Sequence, residues 1–339
     1  MQHLKYINIT NYNLQNGKTV DIKLSYQVFG KPLHTAPIVL VNHALTGNSN
    51  VVGADGWWSD LIGDNKCIDT QHYTILAFNI PGNGFDNTED HLIDNYKDFT
   101  ASSIAQIFVE GLNQLLINKL FAVIGGSVGG GIAWELAVLQ PNLIQHVIPI
   151  ATDWKATDWL IANCHIQDAI LNHSSQPLED ARMHAMTLYR TPESLTRKFQ
   201  RTQQSDTLFE VESWLNYHGN QLSNRFQLSA YKVMNQVLRT IDITKGRGSF
   251  KEVASKINSS IHIITINSDL FFKAEENWET YIDLKSVKQN VTIGEIKSIH
   301  GHDAFLIEYD QLSKLLHPIF EIESYEKKHD FNTLVRQVS

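Results

Sequence analysis

Cysteine is scarce in this chain, whose 339 residues include Cys67 and Cys164, far apart in sequence, and no others. Two cysteines without a CxxC pair cannot form a disulfide framework or a thiolate metal cluster, so we interpret both as ordinary thiols of a reducing compartment. The opening MQHLKYINIT lacks the apolar core of a secretory signal, and no window approaches about 18 uninterrupted apolar residues. These absences predict a cytoplasmic protein without a membrane span.

Positive charge is also in short supply. Lysine and arginine number 28 against 36 aspartates and glutamates, so the formal net charge at pH 7 is −8. An acidic chain with no basic block is poorly suited to binding nucleic acid or an anionic membrane. We therefore expect small-molecule substrates and neither nucleic-acid nor membrane partners.

Short apolar runs alternate with amphipathic stretches in the first half of the chain and again near its end. The runs typical of strands are 20–29, 37–44, 73–80, 121–125, 146–151, 260–266 and 290–296. The stretches with helical periodicity or helix-ending signals are 100–119, 128–141 and 303–320. Alternation of this kind predicts an α/β fold, with a mostly parallel sheet flanked by helices.

The middle of the chain differs from both ends, because residues 153–250 are polar and helix-like without clear strand runs. Helices are predicted there at 182–190, 192–201 and 227–240. A strand–helix series that is interrupted and then resumed predicts a helical cap inserted after the strand at 146–151. The domains we predict are a core of 1–152 and 256–325, a cap of 153–255 and a polar tail of 326–339.

One segment carries a chemical signature. FAVIGGSVGGG, at 121–131, places GxSxG around Ser127 between a predicted strand and a predicted helix. That context is required for the nucleophile elbow of the α/β-hydrolase fold, where the helix dipole and the amide of Val128 stabilise an oxyanion. A glycine-rich turn without chemistry is the alternative. A Walker phosphate loop is excluded because no GK[ST] follows.

An elbow needs a second oxyanion donor, which usually comes from the loop after an earlier strand. VNHALTG, at 41–47, occupies that place, and we assign the amide of Leu45 as the donor. A strand that simply ends in a Thr-Gly turn is the alternative.

The order of a catalytic triad on this fold is serine, then an acid, then histidine. Asp269 in TINSDLFF is the candidate acid, and IHGHDAFL offers two candidate bases, His300 and His302, between which spacing does not choose. The HGHD text also suggests a metal site. Asp303 comes only three residues after His300, where metallohydrolases commonly have four, and no further ligand cluster is apparent, so we expect no metal.

Several segments together resemble the homoserine O-acetyltransferase family, which is the acyl-CoA-dependent branch of the α/β-hydrolase fold. The matching segments are HALTGN from His43, AVIGGSVGGGIAWELA around Ser127, ARMHAMTLYRTPESLTRKF at 181–199, NSDLFF around Asp269 and GHDAFLIE at 301–308. They follow the family's order through most of the chain. The sequence departs from the family at 80–99, where PGNGFDNTEDHLIDNYKDF replaces a longer loop.

The resemblance implies a role for each candidate catalytic residue. The family's histidine precedes DAFL, which favours His302 over His300. Ser127 is then the nucleophile, His302 the base and Asp269 the group that orients the imidazole.

The resemblance also implies an acceptor pocket. Asp303 receives the amino group of the acceptor, and Arg182 and Tyr189 hold its carboxylate from the cap. The charges of Asp303 and Arg182 fit such an acceptor, because a zwitterionic amino acid needs one anion and one cation near the nucleophile. Taken alone, Arg182 is a solvated cap-helix arginine, and Asp303 fits the N-cap of the final helix.

The activity implied is transfer of an acetyl group from acetyl-CoA to the hydroxyl of L-homoserine, by a ping-pong acyl-serine mechanism in methionine biosynthesis. Acetyl-CoA is then a co-substrate, no cofactor is bound, and a homodimer pairs through the cap helices. The alternatives are succinyl-CoA or L-serine as substrates, a serine carboxylester or thioester hydrolase, and a non-catalytic binding protein.

Overall fold

An eight-stranded sheet forms the centre of the computed structural model, which describes residues 4–14 and 16–321. The strands are β1 Lys5–Asn13, β2 Thr19–Gly30, β3 Ile38–Asn42, β4 Thr74–Phe78, β5 Leu120–Gly126, β6 Ile144–Ile150, β7 Ser260–Ile266 and β8 Val291–Ile296. They lie in the order β1-β2-β4-β3-β5-β6-β7-β8. The β1–β2 and β2–β4 pairs are antiparallel and the other pairs are parallel.

Helices cover both faces of this sheet. They are α1 Ala101–Gln114, α2 Val128–Leu139, α3 Asp158–His173, α4 Pro177–Tyr189, α5 Pro192–Phe199, α6 Glu210–Ser223, α7 Leu228–Arg239, α8 Phe250–Ala254, α9 Ala274–Lys285 and α10 Tyr309–Phe320. Every residue of β3 and β4 is buried, as expected of parallel strands covered on both faces. Within the described ranges, none of these helices has the length and apolar character that crossing a membrane requires.

Helices α3 to α7 form an insertion between β6 and β7, together with a small hairpin of Gln203–Ser205 and Leu208–Phe209. The first and last segments of this insertion lie side by side. The amide N–H of Ala156 donates to the carbonyl of Ile241 at 2.7 Å, and Lys155 forms an isolated bridge with Asp242. This is the arrangement expected of a cap, whereas its domain boundaries at 153 and 255 stay a prediction.

The strands predicted from apolar runs overlap observed strands, and the α/β-hydrolase prediction for the fold is confirmed by the family comparison below. Strand β1 and helices α3, α6, α8 and α9 are not among the predicted elements. The apolar periodicity of α3 and α9 is weak, and α8 has only five residues. The predicted tail at 326–339 lies outside the described residues.

The final predicted helix at 303–320 is two elements. A 3-10 helix, Gly301–Leu306, comes first, and α10 follows it with Glu308 as its N-cap. The backbone breaks between them because Ile307 adopts φ −126° and ψ −46°. The prediction that Asp303 caps the final helix is therefore wrong, and its carboxylate is left for another role.

Candidate active site

Ser127 occupies the turn between β5 and α2. Its backbone has φ 56° and ψ −127°, a conformation that costs a non-glycine residue about 1–3 kcal/mol. Two backbone hydrogen bonds stabilise the turn, from Ser127 N–H to Ile150 O and from Gly130 N–H to Ser127 O, both 2.9 Å. A strained serine between a strand and a helix is the geometry of a nucleophile elbow.

The residue before Ser127 has no room for a side chain. A Cβ on Gly126 would lie 2.5 Å from Cε2 of Phe305, closer than any real contact. Phe305 belongs to the 3-10 helix that also contains His302. Glycine at 126 therefore lets the histidine segment approach the elbow.

The two assigned oxyanion donors lie on neighbouring elements. Asn42, at the end of β3, donates from Nδ2 to the carbonyl of Gly129 in the first turn of α2 at 3.1 Å. Leu45 follows in a turn closed by a 2.9 Å bond from Gly47 N–H to Ala44 O. Within the described residues, the amide N–H groups of Leu45 and Val128 have no hydrogen-bond acceptor, as an oxyanion hole requires.

His43 supports the Leu45 turn, and the sequence analysis gave it no role. Its Nε2 accepts from the amide of Ile80 at 2.9 Å, so its Nδ1–H donates to the carbonyl of Ala44 at 2.8 Å. Burial lowers the pKa of His43 to about 4, which keeps the ring neutral and fixes this tautomer. The available signal was a histidine at the end of a buried strand, with one residue between it and the apolar run at 38–41.

Asp269 and His302 form a buried pair. The Nδ1–H of His302 donates to Oδ2 of Asp269 at 2.7 Å. The other carboxylate oxygen, Oδ1, accepts the amides of Phe271 and Phe272 at 2.7 and 3.0 Å. Because Nδ1 carries the proton, Nε2 of His302 is free to accept one, which is the arrangement of a carboxylate-oriented general base.

Phe305 brings this pair to the elbow. Its ring centroid lies 5.7 Å from that of His302, and its edge packs on Gly126, next to Ser127. No hydrogen bond joins Ser127 Oγ to His302 in the described part of the chain. Such bonds are often long before substrate binds. Ser127, Asp269 and His302 follow the parallel strands β5, β7 and β8 at the same edge of the sheet, and Phe305 lies between His302 and the elbow.

His300, the other candidate base, faces the cap. Its Nδ1 accepts from Nη2 of Arg190 at 2.9 Å and lies 3.0 Å from Oγ of Ser194. The structure thus brings His302, and not His300, to Asp269.

The three predicted acceptor residues lie near His302, with Asp303 next to it in the chain and Arg182 beside Tyr189. The ring centroid of His302 lies 5.4 Å from that of Tyr189, and the guanidinium of Arg182 lies 5.7 Å from the Tyr189 ring. Burial raises the pKa of Asp303, while the positive charge of Arg182 opposes that rise. Burial also raises the pKa of Tyr189 well above its usual value, so its hydroxyl remains a hydrogen-bond donor.

Metal-ligating residues are dispersed. Among residues 4–14 and 16–321, no group of three or more His, Cys, Asp or Glu side chains is arranged to hold a metal ion. Cys67 and Cys164 are free thiols, and burial raises their pKa values to about 11 and about 12. Thiols that resist ionisation are poor nucleophiles, so Ser127 is the better candidate.

The strand order and the turn at Ser127 define an enzyme of the α/β-hydrolase fold. A family model for this fold matches residues 37–205. Among solved structures, homoserine O-acetyltransferase from Bacillus anthracis aligns with a TM-score of 0.85 at 20% identity, over 95% of this chain and 99% of that one. Esterase E22 aligns with a TM-score of 0.83 at 16% identity, over 95% and 100%. These likenesses concern the fold.

Sequence relatives narrow the class to one family. A homoserine O-acetyltransferase of Methanococcus vannielii is 33% identical over 342 residues, covering 89% of this chain and 69% of the relative. One of Cyclobacterium marinum is 33% identical over 327 residues, covering 90% and 91%. The chain belongs to the homoserine O-acetyltransferase family, which confirms the resemblance found in the sequence.

Proposed function

We propose that this enzyme transfers an acetyl group from acetyl-CoA to the hydroxyl of L-homoserine through an ester on Ser127. The observation that carries the proposal is a pair of oppositely charged groups near His302. Asp303 follows His302 in the chain, and the Arg182 guanidinium lies 5.7 Å from the ring of Tyr189, whose centroid lies 5.4 Å from that of His302. An amino acid presents the complementary ammonium and carboxylate. The names of the relatives support homoserine as the acceptor and acetyl as the transferred group.

In the first step, Nε2 of His302 takes the hydroxyl proton of Ser127 while Oγ bonds to the thioester carbonyl carbon. The Leu45 and Val128 amides stabilise the oxyanion, and one such donor is worth roughly 3–4 kcal/mol in comparable sites. The carbon–sulfur bond then breaks. His302 gives its proton to the coenzyme A sulfur, and the acetyl group remains on Ser127.

In the second step, the acceptor replaces coenzyme A. His302 takes the proton of the acceptor hydroxyl as its oxygen attacks the acetyl-Ser127 carbonyl. The same amides stabilise the second oxyanion, and Ser127 leaves with the proton from His302. The products are the O-acetyl amino acid and the original enzyme.

Transfer competes with hydrolysis, because water could attack the same ester. A bound acceptor gains from its high effective concentration at the ester, an effect worth up to about 7–11 kcal/mol when the geometry is optimal. Asp303, Arg182 and Tyr189 would supply that binding. The fold itself does not distinguish the two reactions, since its structural neighbours include an acetyltransferase and esterases.

The test crosses acetyl-CoA and succinyl-CoA with L-homoserine and L-serine and measures both the free acid and the O-acyl product. We expect O-acetylhomoserine from the first combination, no product from Ser127→Ala, and an unchanged rate from Ser286→Ala, which alters an exposed serine at the end of α9. Free acetate released at the same rate with or without homoserine would instead make the enzyme a hydrolase.

The homodimer, the cytoplasmic location and the place in methionine biosynthesis stay predictions. Trp159, Ile166 and Tyr217 on the cap helices are exposed at 48%, 45% and 58% of their surface. These apolar side chains support the prediction that a second copy of the chain packs on the cap. Light scattering on the purified protein measures the oligomeric state. A monomeric mass across the working concentration range would contradict the dimer.

A further inference from the structure

We propose that His300 is a positioning residue through which the cap holds the loop that carries His302. The inference rests on the proposed function because it takes His302 as the base. His300 is not assigned to the chemistry itself, since its Nδ1 faces Arg190 rather than an acid. Its contacts suit a structural connection between two parts of the site.

The side chains of Arg190 and Ser194 both reach Nδ1 of His300. Nη2 of Arg190 donates to this atom at 2.9 Å and also donates to Oγ of Ser194 at 2.8 Å. Oγ of Ser194 lies 3.0 Å from the same Nδ1. Because a guanidinium can only donate, Nδ1 of His300 is the acceptor of this hydrogen bond.

The residues on either side of His300 contact the same junction between α4 and α5. The hydroxyl of Thr191 donates to the carbonyl of Ile299. Gly301 has φ 68°, and a Cβ there would lie 2.8 Å from the carbonyl oxygen of Tyr189. Three consecutive residues of the histidine loop, ending just before His302, therefore rest on the cap.

The core holds this loop from the other side. The amide of Gly301 donates to Oγ of Ser268 at 3.1 Å, and Ser268 precedes Asp269. The amide of His300 donates to Oγ of Ser298 at 3.1 Å. Losing the cap contacts would leave these bonds intact, so the loop would stay folded but less restrained. A displacement of about 1 Å in a catalytic group can cost about 100-fold in rate.

The same helix serves the acceptor and the base. Arg182 and Tyr189 lie on α4, and Arg190 follows its last residue. The predicted carboxylate site and the His300 contact are thus parts of one rigid element. Movement of α4 would displace the acceptor pocket and the His302 loop together.

The test measures acylation of Ser127 by p-nitrophenyl acetate, a neutral ester that has no carboxylate for Arg182 to bind. His300→Leu should lower the acylation rate constant roughly 10- to 100-fold with little change in KM. His300→Asn, whose amide oxygen can accept from Arg190 in place of Nδ1, should recover most of that loss. Arg190→Leu should also slow acylation, and the double variant should be no slower than the worse single variant.

A matched control separates positioning from a general loosening of the cap. Tyr96→Phe removes another hydrogen bond between cap and core, from Tyr96 Oη to Asp168 Oδ1 at 2.8 Å, away from His302. We expect it to lower stability about as much as His300→Leu and to leave acylation unchanged.

Wild-type acylation in His300→Leu, or acylation in His300→Asn as slow as in His300→Leu, would overturn the role of His300. Equal slowing in Tyr96→Phe would also overturn it, because the effect would then belong to cap docking in general. If Ser127→Ala still releases a p-nitrophenol burst, the proposed function fails instead, whatever the His300 variants do.

Discussion

The core and the cap hold their halves of the site by different means. Ser127 and the Asp269–His302 pair are buried and fixed by backbone hydrogen bonds, ring packing and the absence of a side chain at Gly126. On the cap, Arg182 and Arg190 reach the site with long charged side chains. Substitutions in the core half should therefore abolish catalysis, whereas substitutions in the cap half should cause graded changes in substrate affinity or rate.

Charge differs between the halves as well. Burial lowers the pKa of His218, on the cap, to about 4. The positive charges of Arg182, Lys198 and Arg190 contribute to the same shift. The whole chain nevertheless carries a net charge of −8. The net negative charge disfavours polyanionic partners, whereas the positively charged side chains near His218 favour binding of a small anion at the cap.

The largest expected effect tests the core half through Asp269→Asn. The amide oxygen can still accept from Phe271 and Phe272, but its NH2 group faces Nδ1 of His302. That contact favours the tautomer with the proton on Nε2, which cannot take the proton of Ser127. We expect kcat to fall about 10⁴-fold with little loss of stability, measured by the steady-state transfer assay.

Asp153→Asn is the matched control for a buried carboxyl outside the site. Asp153 accepts from the Trp154 amide and the Thr280 hydroxyl, both at 2.8 Å. This variant should transfer acetyl groups at the wild-type rate. An Asp269→Asn enzyme within tenfold of wild type would remove Asp269 from the mechanism.

The next effect tests the cap half through Arg182→Met. Loss of a hydrogen bond to a charged group costs about 1.5–3 kcal/mol, so kcat/KM for L-homoserine should fall roughly 10- to 150-fold. The p-nitrophenyl acetate burst should be unchanged. Arg197→Met, an exposed cap arginine paired with Glu193, should alter neither. Loss of the p-nitrophenol burst in Arg182→Met would mean that the cap half is also needed for acylation of Ser127.

A smaller effect concerns stability in the core half. The pKa of His43 is about 4 in the fold against 6.5 unfolded, so its contribution is complete above pH 6.5 and is lost as the pH falls toward 4. The loss is on the order of 3 kcal/mol. Urea unfolding at about pH 7 and about pH 5 should show a steeper decline for wild type than for His43→Gln, which does not titrate.

The comparison with His43→Gln is needed because other buried groups titrate too. Burial raises the pKa of Asp153 to about 7, so Asp153 favours the fold at low pH and opposes the His43 trend. That contribution is the same in both proteins and cancels in the difference. Equal slopes for the two proteins would show that His43 is not held neutral.

The smallest effect tests the close contact beside the nucleophile. Gly126→Ala places a methyl group 2.5 Å from Phe305, and overpacking of this kind costs typically 1–3 kcal/mol of unfolding free energy. Activity should fall too, because Phe305 and His302 share one short helix. Phe305→Leu in the same chain should recover part of both losses. A Gly126→Ala protein as stable as wild type would show that the contact is loose.

Local patterns in the sequence predicted what depends on near neighbours in the chain. Apolar runs predicted strands β2 to β8, and GxSxG between a strand and a helix predicted the elbow at Ser127. Strand β1 and helix α3 were missed because their patterns are mixed and packing stabilises them. The catalytic roles of Ser127, Asp269 and His302 stay predictions that the geometry supports.

By itself, the sequence determined the alternation of strands and helices, the turn that raises Ser127 and the family, because periodicity and motif text are properties of consecutive residues. Spacing left His300 and His302 open and the family resemblance favoured His302, but only the tertiary structure showed His302 in contact with Asp269, Asp303 away from the N-cap of the final helix, and His300 in contact with Arg190. Those contacts join residues as far as 110 positions apart. Their existence depends on how the cap docks on the sheet, which no local pattern records.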